Sequence, residues 1–420
     1  MKLQLDQWYR VEGVSEVYGI VLEGGGARGA YQVGAWQALR ELGLEYGGVA
    51  GTSVGALNGA MMVQGDLDRA LEIWNEIRPS RIVSIDEALY ERLKRLKISS
   101  GDASSLLQRF KIVFRDGVDT APLRLLLGEV IDEARIRAAG LEFGFVTVSL
   151  SNWSPLKMYI DDVPPGQLID YLLASARLPV FKRQHIDGRL VLDGGFYDNL
   201  PIDLLAARGF TRIIAVRLGG FSRTRWQETK DVEVTYIKPS ESLGGMLDFS
   251  RERAGKNIKL GYFDTLKVFK GYHGRRYYLE VGRDEEYFLH LLLGIGDDRL
   301  TAIREEIGLP AEMSVRRMLL ERLVPLAAEL LGVGGAASYR EIVIALLERA
   351  AAASGVERFQ IYSWDEFLQQ VVGRYQAKRP KLGPISARLP KILHGNELLL
   401  RAMREPVLDR LTAALVACLQ

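Results

Sequence analysis

The sequence predicts an α/β fold on a wound sheet, followed by a helical region. Three observations point to it: an apolar strand running through a glycine turn into a helix near residue 20, a second such joint near residue 52, and a late change to helical periodicity. Tyr18 to Glu23 reads as a buried strand and Gly24 to Gly29 as a turn. Ala30 to Leu42 then reads as a helix, with Val33, Trp36, Ala38 and Leu39 as its apolar positions. Val49 to Thr52 is expected as a second strand and Val54 to Val63 as a second helix. Two strand-to-helix joints so close together belong to a wound sheet, where loops at the carboxyl ends of strands form the ligand crevice. The glycine run and Ser53 are therefore expected side by side.

From Asp66 to Ala138 the pattern is helical and irregular, an expected insertion that walls or lids the site. Its basic piece, Arg92, Lys94, Arg95 and Lys97, equally fits a solvated helix face. Strands are expected again at Phe143 to Ser149, Lys157 to Ile160 and Arg212 to Val216, with a helix after Pro164-Pro165 that ends near Leu178-Pro179. Ser250 to Phe269 reads as a helix and Gly271 to Val281 as an aromatic-rich hairpin around His273-Gly274. From Asp284 onward helical spacing dominates, as at Val315, Leu319, Leu323 and Leu326. The expected organisation is an N-terminal extension over 1–17, an α/β domain over 18–283 containing the 66–138 insertion, and a helical C-terminal region over 284–420.

Composition narrows the class of protein. A hydrophobic share of 48% and a charged share of 26% over 420 residues are those of a globular chain with a large core. A formal net charge of +2 gives no single-sign field, so no nucleic-acid partner is expected. The lone cysteine, Cys418, excludes an intramolecular disulfide and fits a reducing compartment. Met1 to Arg10 lacks a signal-peptide core and no apolar run reaches the ~18 residues of a spanning helix, so the expectation is a cytoplasmic protein. Between Glu366 and Glu397 there is no acidic residue, while Arg374, Lys378, Arg379, Lys381, Arg388 and Lys391 alternate with Pro380, Pro384 and Pro390. That segment fits an interdomain linker, or a peripheral contact with an anionic bilayer where each cation contributes about 1 kcal/mol.

The chemistry concentrates in three places. In Gly51-Thr52-Ser53-Val54-Gly55 a serine stands between two glycines where strand meets helix, the sharp turn that presents a nucleophile. The run Glu23-Gly24-Gly25-Gly26-Ala27-Arg28-Gly29 satisfies a dinucleotide fingerprint through Gly24, Gly26 and Gly29. The next strand, however, ends in Gly51-Thr52-Ser53 rather than in the acidic residue that would hold a ribose. The other reading is an oxyanion hole of glycine N–H groups beside the serine, with Arg28 adding positive potential. The third place is Asp193-Gly194-Gly195, at the end of a hairpin strand, where Asp193 is either a base for Ser53 or an Asx turn holding the loop. Of the four histidines only His185 lies near these residues, and a Ser–His arrangement oriented by Asp187 or Asp193 is the competing triad.

Taken together the motifs resemble those of the patatin-like phospholipases. Glu23 to Gly29 resembles the family's glycine-rich loop, Gly51 to Gly55 its nucleophile elbow and Asp193-Gly194-Gly195 its dyad motif. Ala174 to Phe181 resembles the helix-to-loop segment before that aspartate, Asn199-Leu200-Pro201 its sequel, and Gly244 to Tyr262 a stretch found in bacterial members. The resemblance covers Tyr18 to Gly220 and implies a three-layer α/β/α sheet and a hydrolase of phospholipid or other lipid esters. It implies Ser53 as nucleophile, Asp193 as base, and Gly25, Gly26 and Ala27 as oxyanion donors assisted by Arg28, with no metal or cofactor. Glu23 stands where many members carry Asp or Ser. Acyl transfer to an alcohol, and a non-catalytic lipid-binding module, are the alternatives. The C-terminal region is expected to cover an acyl channel, form a homodimer or touch a membrane. Ile82 to Phe114 are candidates for shaping the acyl tunnel.

Overall fold

The computed structural model describes residues 17–84, 86–88, 90–91, 118–149, 154–177, 185–186, 189–219, 226, 229–307, 312–334, 336–378 and 397–419. The expectations for the N-terminal extension before Val17, for the Arg92–Lys97 basic piece, for Leu178–Phe181 and for Arg379–Lys391 lie outside these residues, as does most of Ile82–Phe114. The chain divides into two compact units, Met1–Phe269 and Lys270–Gln420.

The first unit is built on one mixed sheet. Its strands are β1 (Tyr18–Leu22), β2 (Tyr46–Thr52), β3 (Glu142–Ser149), β4 (Ser154–Tyr159), β5 (His185–Ile186), β6 (Arg189–Asp193), β7 (Arg212–Val216) and β8 (Glu233–Ile237). They run in the order β5-β6-β3-β2-β1-β7-β8, with β4 paired to β3. The β2, β1, β7 and β8 neighbours are all parallel, and β1 is buried along its whole length, as a strand covered on both faces must be. The expected strand at Val49 begins earlier, at Tyr46, and Glu233–Ile237 adds an edge strand without a sequence expectation.

Side-chain alternation sorts the covering helices into two layers. Val21 and Ala50 pack with Leu204 and Leu205 of the short helix Ile202–Ala206. Their chain neighbours Leu22 and Val49 lie instead against Gly59 of α2 (Val54–Gln64), on the opposite face. This is the three-layer α/β/α arrangement. Ahead of α2 stands α1 (Ala30–Glu41), and after it come α3 (Leu67–Glu76), α4 (Ala121–Val130) and the short α5 (Glu133–Ala138), the described α-helices of the expected insertion. The helix expected near Ser250 spans Arg251–Lys270.

The second unit is mainly helical around its own apolar core, in which Phe288, Leu323, Leu347, Phe367 and Leu415 are buried. Its short strand Tyr278–Glu280 pairs in parallel with Ile361–Ser363. The hairpin expected at Gly271 to Val281 is thereby corrected: a single bridge joins His273 to Leu279, and the ladder goes to a distant segment. The Glu348 carboxylate accepts the N–H groups of Arg275, Arg276 and Tyr277, each at 2.8 Å.

Candidate active site

Ser53 sits between the end of β2 and the start of α2 with φ 56° and ψ −127°, the one non-glycine residue with positive φ among those described. Such a conformation costs of order 1–3 kcal/mol and persists only when its surroundings enforce it. They do so by close packing. A Cβ on Gly51 would run into the Gly55 backbone, and one on Gly55 into the Leu22 carbonyl. The Ser53 N–H donates to Ser175 Oγ at 3.0 Å, and that hydroxyl donates to the Val146 carbonyl at 2.7 Å.

Register on β3 explains how a second functional group reaches the serine. Val146 is paired with Thr52, the last residue of parallel β2. The next residue, Thr147, is paired with Asp193, the last residue of antiparallel β6. Because β4 pairs with β3 from Gly144 to Ser149, β2 and β6 must share the other edge end to end. Two strands approaching from opposite directions thus finish one register position apart, and Ser53 follows immediately after the first. Ser53 Oγ donates to Asp193 Oδ2 at 2.6 Å, while Asp193 Oδ1 accepts the Gly195 N–H at 2.8 Å. The carboxylate therefore holds its own turn and the serine together. Burial pushes its pKa up to about 6, against the two hydrogen bonds that favour the charged form. His185 is paired opposite Leu190 on β6, whose other end carries Asp193.

The glycine loop lies where the two joints were expected to meet, since a Cβ on Gly24 would stand 3.3 Å from Ser53 Cβ. Gly26 has φ 57°, and a Cβ there would collide with the Met246 carbonyl oxygen. That same oxygen accepts the Ala27 N–H at 2.8 Å. The Gly25 and Gly26 N–H groups have no acceptor among the described residues, unlike that of Ala27. The Arg28 guanidinium donates to the carbonyls of Gly244 at 2.9 Å and Gly219 at 2.9 Å, binding the loop to two neighbouring segments. Burial lowers its pKa, with Glu23 acting in opposition. Glu23, fully buried, accepts the Leu218 N–H and forms an ion pair with Arg217 at 3.6 Å. Asn199, from the motif's sequel, donates to the Gly24 carbonyl at 3.0 Å.

An apolar cavity opens from Ser53 and Gly26 between α2, α3 and α4, lined among others by Leu57, Met61, Ile77, Leu126 and Leu127. The polar side chains described in its wall are already paired. Trp74 Nε1 donates to Asn58 Oδ1 at 3.0 Å, Asn58 Nδ2 donates to Gln32 Oε1 at 2.8 Å, and the Tyr90 hydroxyl donates to the Leu247 carbonyl at 2.8 Å. Nothing in this lining asks for a charged ligand, and the space suits a hydrocarbon chain. Ser175, Tyr90 and the Met246 carbonyl had no functional assignment from sequence. Ser175 fell within a quoted motif, whereas a backbone carbonyl leaves no compositional mark.

Residues 20–206, somewhat under half of the chain, match the family model of patatin-like phospholipases. The chain is 28% identical over 212 residues to patatin-like phospholipase domain-containing protein 7 of Rattus norvegicus, covering 49% of this chain and 14% of that one. It is 31% identical over 213 residues to an uncharacterized NTE family protein of Mycobacterium tuberculosis, covering 50% of this chain and 52% of that one. The chain therefore spans about half, or less, of these relatives' own length. VipD of Legionella pneumophila is similar at 14% identity with a TM-score of 0.40, over 96% of this chain and 91% of that one. Among the described residues no helix is long and apolar enough to cross a membrane.

Proposed function

We propose that the protein is a serine acyl hydrolase of lipid esters, of the phospholipase A, lysophospholipase or general esterase type. The observation that carries the reading is the 2.6 Å hydrogen bond from Ser53 Oγ to a buried Asp193 carboxylate, at the mouth of an apolar cavity. The family of the matching domain supports the substrate class.

In this reading Asp193 takes the Ser53 proton as Oγ attacks the ester carbonyl, and the Gly25 and Gly26 N–H groups receive the developing oxyanion. Collapse of the tetrahedral intermediate breaks the bond to the alcohol, which leaves with the proton held by Asp193. Water, deprotonated by the same carboxylate, then attacks the acyl-serine, and collapse releases the fatty acid and the free hydroxyl. Gly24, Gly29, Gly51, Gly55 and Gly194 serve as spacers that keep the loops in contact, and Gly195 as the donor that orients the base. Arg28 acts by holding the glycine loop. The test is lipid-product mass spectrometry with purified protein. Free fatty acid and lysolipid are expected from the wild type and neither from Ser53→Ala or Asp193→Asn. Undiminished product from either variant rejects the assignment, and acylated glycerol in place of fatty acid indicates transfer to an alcohol.

A further inference from the structure

The apolar cavity has a built end. Val54, Leu57, Asn58 and Met61, one face of α2, line it from the Ser53 end onward. At 1.5 Å per residue Met61 stands about 12 Å along the helix axis from Ser53. Leu123, Leu126, Leu127 and Val130 form the facing stripe of α4. The two helices are pinned together at their C-terminal ends. Gln64, the last residue of α2, donates from Nε2 to the Val130 carbonyl at 3.0 Å and accepts the Asp132 N–H on Oε1 at 2.8 Å. Its buried amide thus brackets Ile131, which lines the cavity although Gln64 itself does not. On their other side Val130 and Ile131 border a polar surface depression with Asp66, Arg69, Glu129 and Arg135. These two residues are a wall between a hydrocarbon space and water.

Resting on the hydrolase reading above, we propose that Met61, Val130 and Ile131 form a stop that sets acyl-chain length, with Gln64 as the positioning residue that holds it. An ester carbonyl at Ser53 sends its chain along α2 toward that wall. With carbon–carbon bonds of about 1.5 Å and angles near 111°, about 12 Å accommodates an extended decanoyl chain. A longer chain has to displace the wall or leave part of itself in water, and each additional methylene that fails to fit forfeits discrimination of the order seen in apolar pockets.

The experiment compares kcat/KM for p-nitrophenyl butyrate, decanoate and palmitate in mixed detergent micelles. The wild type is expected to favour decanoate. Ile131→Ala should raise the palmitate-to-decanoate ratio by about tenfold. Ile131→Trp should lower decanoate relative to butyrate by a similar factor. Gln64→Met should raise the palmitate-to-decanoate ratio too, although it removes no atom from the cavity wall, an effect that general loosening of the fold would not confine to the long ester. Ile131 is half-buried, and thermal melts of each variant verify folding. A wild-type profile flat from butyrate to palmitate, or ratios within about twofold of wild type in all three variants, overturns the length stop while leaving the hydrolase intact. Absence of turnover on every ester rejects the hydrolase reading, and the length stop with it.

Discussion

Asp193 is held in a state that favours chemistry over stability. Its carboxyl has a pKa of about 6 in the fold against an unperturbed 3.8, because burial disfavours the charge. In the proposed mechanism Asp193 acts in its ionised form, so kcat/KM is expected to climb with unit slope up to about pH 6 and level off above it. A profile flat from pH 4.5 to 7.5, in enzyme verified as folded, speaks against Asp193 as base. The same shift has a stability consequence of defined sign. Between pH 3.8 and about 6 the folded state binds more proton than the unfolded one, so this group's contribution falls as pH rises through that window. Asp193→Asn is therefore expected to be inactive but on the order of 3 kcal/mol more stable at pH 8, an advantage that is largely gone near pH 4. Denaturant titrations at the two pH values measure it. Gly26 presents the opposite case, since its positive φ and the Met246 carbonyl leave no place for a side chain. Gly26→Ala should displace the loop and lower kcat/KM by about 100-fold, as loss of one oxyanion donor does.

At the scale of elements, what could be read from sequence was what is local. The glycines at 51 and 55 mark a strand-to-helix joint because their spacing alone permits it, and the joint is found there. The meeting of Ser53 with Asp193 is not local. It depends on β2 and β6 abutting on one edge of β3, which no window around either residue contains. Resemblance to a family, and no periodicity, suggested that pairing. The parallel pairing of Tyr278–Glu280 with Ile361–Ser363 was missed for the same reason, and the aromatic run suggested a hairpin instead. The buried chain from Trp74 through Asn58 to Gln32 and the Glu23 carbonyl is likewise invisible to pattern, though it ties α3, α2 and α1 to the glycine loop. Asn58→Leu would strand the Trp74 N–H and the Gln32 amide oxygen in an apolar setting. A loss of about 3 kcal/mol is expected in urea unfolding, and a change below about 0.5 kcal/mol would show that the network is incidental.

Across the molecule, two units of different character divide the chain, and the chemistry-bearing residues lie in the first. The helical periodicity seen from Asp284 onward reports the packed core of the second unit, and Glu348 fastens the backbone of Arg275 to Tyr277 within that unit. Glu348→Ala should free those three amides, and hydrogen exchange at Arg275–Tyr277 is expected to accelerate by about 100-fold. Unchanged protection there would show that other contacts hold the segment. The dyad itself is tested most directly by fluorophosphonate labelling followed by peptide mass spectrometry. The wild type should take one label, on Ser53, and the Asp193→Asn protein should label far more slowly. A label on any other residue, or equal labelling rates in the two proteins, contradicts the pairing of Ser53 with Asp193 as nucleophile and base.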